Sequence, residues 1–164
     1  MPEERKKDWR NINVRRNRKY EPIVDKLCTR KGEHSKRPIF EYNKDLMVFA
    51  GVLGYAKAVQ EDLESDSIQI TLGTYASDEK DGFIYLIGLL ENKSVDCLKD
   101  DNIGSAVNTF EKYCNGGLSL ISNWLEDSPG DIEGVDTLVQ NLFDELVANQ
   151  KNADDDPRNT VVDF

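Results

Sequence analysis

The chain has 164 residues, of which 38% are hydrophobic and 32% charged, and its formal net charge is −10. This length suits one domain with short tails, and the absence of any run of about 18 apolar residues excludes a membrane-spanning helix. The charged start, MPEERKKDWR, is followed by no apolar segment, so no secretory signal is predicted and a cytoplasmic location is expected.

The charge is divided unequally along the chain. Residues 1–37 hold 13 Lys/Arg and 6 Asp/Glu (13 − 6 = +7), whereas residues 38–164 hold 8 and 25 (8 − 25 = −17). A basic segment joined to an acidic body suggests two surfaces with different tasks. The basic segment can bind nucleic acid, or it can fold back onto the acidic body.

Residues 1–19 are predicted to form a basic arm. Its Arg and Lys side chains alternate with Asn; cations neutralise phosphates, and Asn contacts base edges. Trp9 can stack on a base or dock the arm on the body, and docking is preferred. The candidate nucleic-acid-binding residues are Arg10, Arg15, Arg16, Arg18 and Lys19.

Apolar residues at helical spacing predict five helices, over about residues 21–30, 43 to either 54 or 56, 78–90, 103–125 and 132–149. Asn43 is the predicted N-cap of the second helix. The third, around FIYLIGLL, also suits a buried strand, but a helix that is central and buried is preferred. Residues 68–72 alternate apolar and polar, as in a short strand or an extended loop.

The predicted fold class is therefore mainly α, with at most one short strand-like segment. A single compact bundle of about five helices should cover residues 20–150, between the basic arm of residues 1–19 and an acidic C-terminal tail of residues 151–164. The second helix contains Gly51 and Gly54, and the fourth contains Asn115-Gly116-Gly117. Because each helical glycine costs about 1 kcal/mol relative to Ala, another element should pack closely there, or the helix should break.

No constellation of residues predicts catalysis. His34 is the only histidine, and Cys28, Cys97 and Cys114 are widely spaced, so they are expected to be buried thiols. The sequence contains neither zinc-ligand spacing nor a glycine-rich phosphate loop. The sequence thus predicts no enzyme activity, no metal and no cofactor.

Three segments resemble a small bacterial family found with DNA phosphorothioation (Dnd) gene clusters. Residues 83–90, FIYLIGLL, and residues 110–121, FEKYCNGGLSLI, are two of them. The second of these is the most specific, because Asn-Gly-Gly inside a helix is rare. The third is residues 38–55, where Gly51 replaces a commoner Ala and the matching residues are Phe40, Lys44, Asp45, Phe49, Ala50, Leu53 and Gly54.

The resemblance implies an accessory protein of an anti-phage restriction-modification system, without catalytic residues that could be carried over. The bare backbone at Asn115, Gly116 and Gly117 is then the expected partner-binding site. We expect a non-enzymatic adaptor that binds other proteins of the modification and restriction system, with DNA contact through the arm. The alternatives are a DNA-binding regulator of the locus and an acidic DNA mimic that inhibits a nuclease. Glycine-bearing helices also suit a homodimer.

Overall fold

The structure is a computed structural model that describes residues 8–28 and 38–154. His34 and the predicted tail beyond residue 154 lie outside the described residues. The described part is mainly helical, which confirms the predicted fold class. The chain divides into two compact units, Met1–Ser122 and Asn123–Phe164.

The first unit contains two strands and most of the helices. In chain order these are β1 (Asn13–Asn17), α1 (Glu21–Leu27), α2 (Asn43–Ala56), β2 (Ser67–Thr71), α3 (Leu72–Ala76), α4 (Asp81–Asn92) and α5 (Ile103–Asp127), whose last turn belongs to the second unit. The second unit holds α6 (Val135–Asp154).

The strand predicted at residues 68–72 is confirmed as β2, and its partner lies where an arm was expected. β1 pairs with β2 in antiparallel register, with Asn13 opposite Thr71 and Arg15 opposite Gln69. Alternation along β1 is irregular, because Val14, Arg16 and Asn17 are all buried. Residues 13–17 are therefore part of the folded unit, a position that their polar composition does not predict.

The core of the first unit consists of apolar side chains from β1 and from helices α1 to α5. α5 contributes more of these side chains than any other element, and burial of a large apolar side chain stabilises the fold by about 1.5–3 kcal/mol. The predicted central helix, now α4, instead has one buried and one exposed side. Fully buried core residues include Val14, Leu27, Leu46, Ile84, Phe110, Leu118 and Ile121.

Glycines let α2 and α5 approach each other closely. A Cβ on Gly54 would lie 2.9 Å from the carbonyl carbon of Tyr113, and one on Gly117 would lie 2.6 Å from that of Ala50. Both distances are below the 3.0 Å that real Cβ atoms respect. α5 runs through its Asn-Gly-Gly segment without a break, so close packing is the observed alternative.

The start of α2 differs from the prediction in one respect. The helix begins at Asn43, but Tyr42 is the N-cap residue, and its backbone N–H donates to the Asp45 carboxylate at 3.2 Å. The Asn43 side chain is not a cap because its Oδ1 accepts a hydrogen bond from Arg16 Nε at 3.1 Å. The Asn43 side chain, which the sequence assigned to helix capping, is thus used in a tertiary hydrogen bond.

In the second unit, Asp131 fixes the start of α6. Its carboxylate accepts hydrogen bonds from the backbone N–H groups of Gly134 at 2.9 Å and Thr137 at 2.8 Å. A negative charge at this end is also favourable to the helix dipole. None of the described helices is long and apolar enough to cross a membrane.

Candidate functional site

Two polar side chains of α5 complete the hydrogen bonding of β1. β1 pairs with β2 along one edge, so N–H groups on its other edge need acceptors. Glu111 Oε1 accepts the N–H of Arg15, and Asn115 Oδ1 accepts that of Asn17, each at 2.8 Å. Both acceptors are fully buried and one helical turn apart. α5 therefore supports β1 as a third strand would.

The Arg15 side chain also turns towards Glu111. Arg15 Nε lies 3.1 Å from Glu111 Oε1, while 45% of the Arg15 side chain stays exposed. Burial raises the pKa of the Glu111 carboxyl above its usual range, and the hydrogen bonds from Arg15 limit that rise. The buried carboxylate is thus held by one cation and one backbone amide.

Arg16 is enclosed by the protein. Its side chain is 0% exposed, and Nη2 lies 2.8 Å from Glu21 Oε2. Nε donates to Asn43, and Nη1 donates to the carbonyl of Asn17 at 3.4 Å. The guanidinium has no exposed surface and bonds within the chain, so this geometry does not support the predicted phosphate contact of Arg16.

The acidic loop after α2, residues 61–66, contacts the end of the basic segment, residues 17–20. Glu61 accepts hydrogen bonds from Asn17 Nδ2 at 2.9 Å and Tyr20 Oη at 2.5 Å, and Lys19 Nζ lies 2.8 Å away. Burial alone would raise the pKa of Glu61, but these three donors lower it below its usual range. Burial and Glu61 together raise the pKa of Tyr20 to about 12. Glu61 thus connects this loop to the end of β1 and to the turn that follows it.

Two further ion pairs continue this contact at the surface. Arg18 Nε lies 2.6 Å from Asp66, and Lys19 Nζ also lies 2.6 Å from Glu64. All five candidate nucleic-acid cations are therefore near carboxylates of the same chain, and Arg10 has the longest of these contacts, 3.9 Å to Asp8. In residues 13–19 the basic segment folds back onto the acidic body, which is the second alternative offered by the charge pattern.

Arg10 differs from the other four. Its side chain is 63% exposed, its guanidinium lies 4.6 Å from the centroid of the Trp9 ring, and its nearest carboxylate oxygen, on Asp8, is 3.9 Å away. A cleft of about 340 Å³ opens beside this segment. Its lining presents polar and apolar surface in about equal parts and consists of Asp8, Asn11, Ile12, Asn13, Arg15 and Gln69.

The predicted partner-binding residues Asn115, Gly116 and Gly117 are all buried by the chain itself. A Cβ on Gly116 would lie 2.6 Å from the carbonyl carbon of Val59, in the segment that follows α2. The element that approaches this bare backbone is therefore intramolecular, and this packing does not support the predicted contact with a partner protein. Asn115 Nδ2 is buried without a hydrogen-bond partner in the described part of the chain.

Two helices instead present apolar side chains to the outside. On α4, Phe83, Leu86 and Leu90 are 43%, 50% and 44% exposed, although the sequence placed this helix at the centre of the core. The second set lies on α6 and consists of Val135, Val139, Phe143 and Leu146. Sequence reasoning assigned the α4 segment to burial, because periodicity shows that a face is apolar but not whether the chain itself covers it.

The chain has three free cysteines, two of them buried as expected, whereas Cys28 is only partly buried. Burial raises the pKa of Cys28 to about 12, so its thiol stays protonated at neutral pH. Within residues 8–28 and 38–154, no group of three or more His, Cys, Asp or Glu residues is arranged to hold a metal ion.

Comparison with known proteins gives one match. The family model described as DNA sulphur modification system-associated protein 4 matches residues 13–160. No curated protein and no solved structure matches the chain. The matched range begins at β1 and extends beyond α6.

Proposed function

Because the chain belongs to the DNA sulphur modification system-associated protein 4 family, we propose that it acts by binding another protein of that system rather than by catalysis. Membership confirms the predicted Dnd-associated accessory family. A non-enzymatic role that serves restriction of phage DNA is part of this proposal.

The exposed stripe of α4 carries the proposal. Phe83, Leu86 and Leu90 recur at intervals of three and four residues and so share one face of the helix. All three are between 43% and 50% exposed, while the neighbouring Ile84 and Ile87 supply the buried side. Contiguous apolar surface of this kind marks interaction sites on soluble proteins. One side of α4 is therefore buried in the protein, and its second apolar face stays exposed and can bind a partner.

The test uses the tagged full chain to capture, one at a time, each separately expressed protein of the modification system. We expect one of them to bind wild type and to lose about tenfold or more in affinity with Leu86→Glu, since a charge would enter the interface. Ala56→Glu adds the same charge at an exposed site on α2 and should bind like wild type. Binding of no system protein, or equal binding by Leu86→Glu, would refute the proposal.

Nucleic-acid contact through the basic segment is a second candidate, favoured by Arg10 stacked on Trp9 beside the cleft. An Arg over an aromatic ring is a platform on which a base can stack. A gel-shift series at rising salt should show binding that Arg10→Glu abolishes and Lys93→Glu, at an exposed site after α4, does not. Binding that is insensitive to salt and to Arg10→Glu would exclude this role.

A further inference from the structure

The net charge of the protein resides in its second unit. Residues 123–164 contain 2 Lys/Arg and 11 Asp/Glu (2 − 11 = −9), which leaves 19 and 20 for residues 1–122 (19 − 20 = −1). The basic residues of β1 and the turn after it are balanced inside the first unit by carboxylates such as Glu111, Glu61 and Asp66. The unit that carries α6 is therefore strongly acidic, and the other unit is close to neutral.

The apolar stripe of α6 is the most exposed in the described part of the chain. Val139, Phe143 and Leu146 are 62%, 60% and 68% exposed, and Val135 extends the same face by one turn. Leu138 is only 4% exposed, so the packing of α6 uses a different side of the helix. The stripe is therefore not part of the buried side of α6.

An acidic residue borders this stripe. Asp136 lies three residues before Val139 and is therefore its neighbour on the helix surface. The cap at Asp131 gives the helix a defined start, so little ordering is needed when it binds.

The charge also selects the occupant of this face. A second copy of the chain would bring two units of −9 together, which charge repulsion opposes. A groove with an apolar floor and a Lys/Arg rim instead complements both the apolar stripe, with Asp136 beside it, and the net negative charge of the unit. We propose that α6 docks with this face in such a groove on another protein of the DNA sulphur modification system. This inference rests on the proposed function and names a second surface for it.

The test compares two variants of the full chain against each separately expressed protein of the system. Phe143→Glu places a charge in the middle of the stripe, at a side chain exposed enough for the fold to tolerate it. Ala148→Glu adds the same charge nine residues after Val139, on the opposite side of α6, where the side chain is also exposed. Circular dichroism and urea unfolding establish that both variants remain folded.

We expect Phe143→Glu to weaken capture of one system protein about tenfold or more and Ala148→Glu to leave it unchanged. Capture should also weaken between about 50 mM and about 300 mM salt, because exposed charges are screened. Equal capture by Phe143→Glu would overturn the α6 proposal, and if Leu86→Glu still lost binding the proposed function would stand. Failure of the wild type to bind any system protein would overturn both. A wild-type dimer that Phe143→Glu dissociates in sedimentation would identify a second copy as the occupant and also refute the inference.

Discussion

Replacing Gly117 by Ala tests whether the close approach of α2 and α5 holds the first unit together. A Cβ at this position would lie 2.6 Å from the carbonyl carbon of Ala50 and 2.9 Å from its Cα. Carbon atoms in ordinary contact are about 3.5–4.0 Å apart, so the two helices would have to separate by about 1 Å. The obstructing atoms are backbone, which cannot move aside by changing a rotamer.

The expected cost follows from two opposing effects. Overpacking a well-packed core costs typically about 1–3 kcal/mol, and backbone obstruction favours the upper end of that range. The change from Gly to Ala in a helix interior returns about 1 kcal/mol through backbone entropy. Gly117→Ala should therefore lower the free energy of unfolding by about 1–2 kcal/mol.

Gly104→Ala is the matched control because it lies on the same helix with nothing within 4 Å of the added Cβ. It should gain up to about 1 kcal/mol, so the two variants are expected to differ in sign. Urea unfolding followed by circular dichroism gives both values from the shift in midpoint at constant m. A Gly117→Ala variant as stable as Gly104→Ala would show that the two backbones are not in contact.

Two further predictions concern the polar network of β1. Glu111→Ala removes the acceptor of the Arg15 N–H inside the fold and should lower the free energy of unfolding, measured in urea, by about 2–4 kcal/mol. Glu111→Gln keeps an acceptor and should lower it by about 1 kcal/mol or less. Equal losses in the two variants would contradict the role of Glu111 as the acceptor for β1. The lowered pKa of Glu61 means that its charged form stabilises the fold above its ordinary pKa of 4.5, and that this stability is lost as pH falls through the lowered value. The difference in thermal midpoint between wild type and Glu61→Gln should therefore be largest near pH 6–7 and shrink towards about pH 3, and a difference independent of pH would refute the assignment.

The resemblance to the Dnd-associated family and most of the helical elements could be predicted from the sequence. Helical periodicity identifies a helix wherever apolar residues repeat over several turns, as in α2, α5 and α6, and the alternation of Ile68 and Ile70 identified β2. Asn115-Gly116-Gly117 correctly indicated a close approach, because bare backbone in a helix is unfavourable unless another element uses it.

Only the tertiary structure decided which element makes that approach and which surfaces remain open. β1 consists largely of Asn and Arg, and it forms a strand because Glu111 and Asn115 supply acceptors from almost a hundred residues away in sequence. Local propensity holds no information about such distant partners. For the same reason the sequence left Arg16 as a candidate for phosphate, although the fold encloses it. The exposed faces of α4 and α6 were likewise settled by packing, since periodicity shows that a face is apolar but not whether the chain itself covers it.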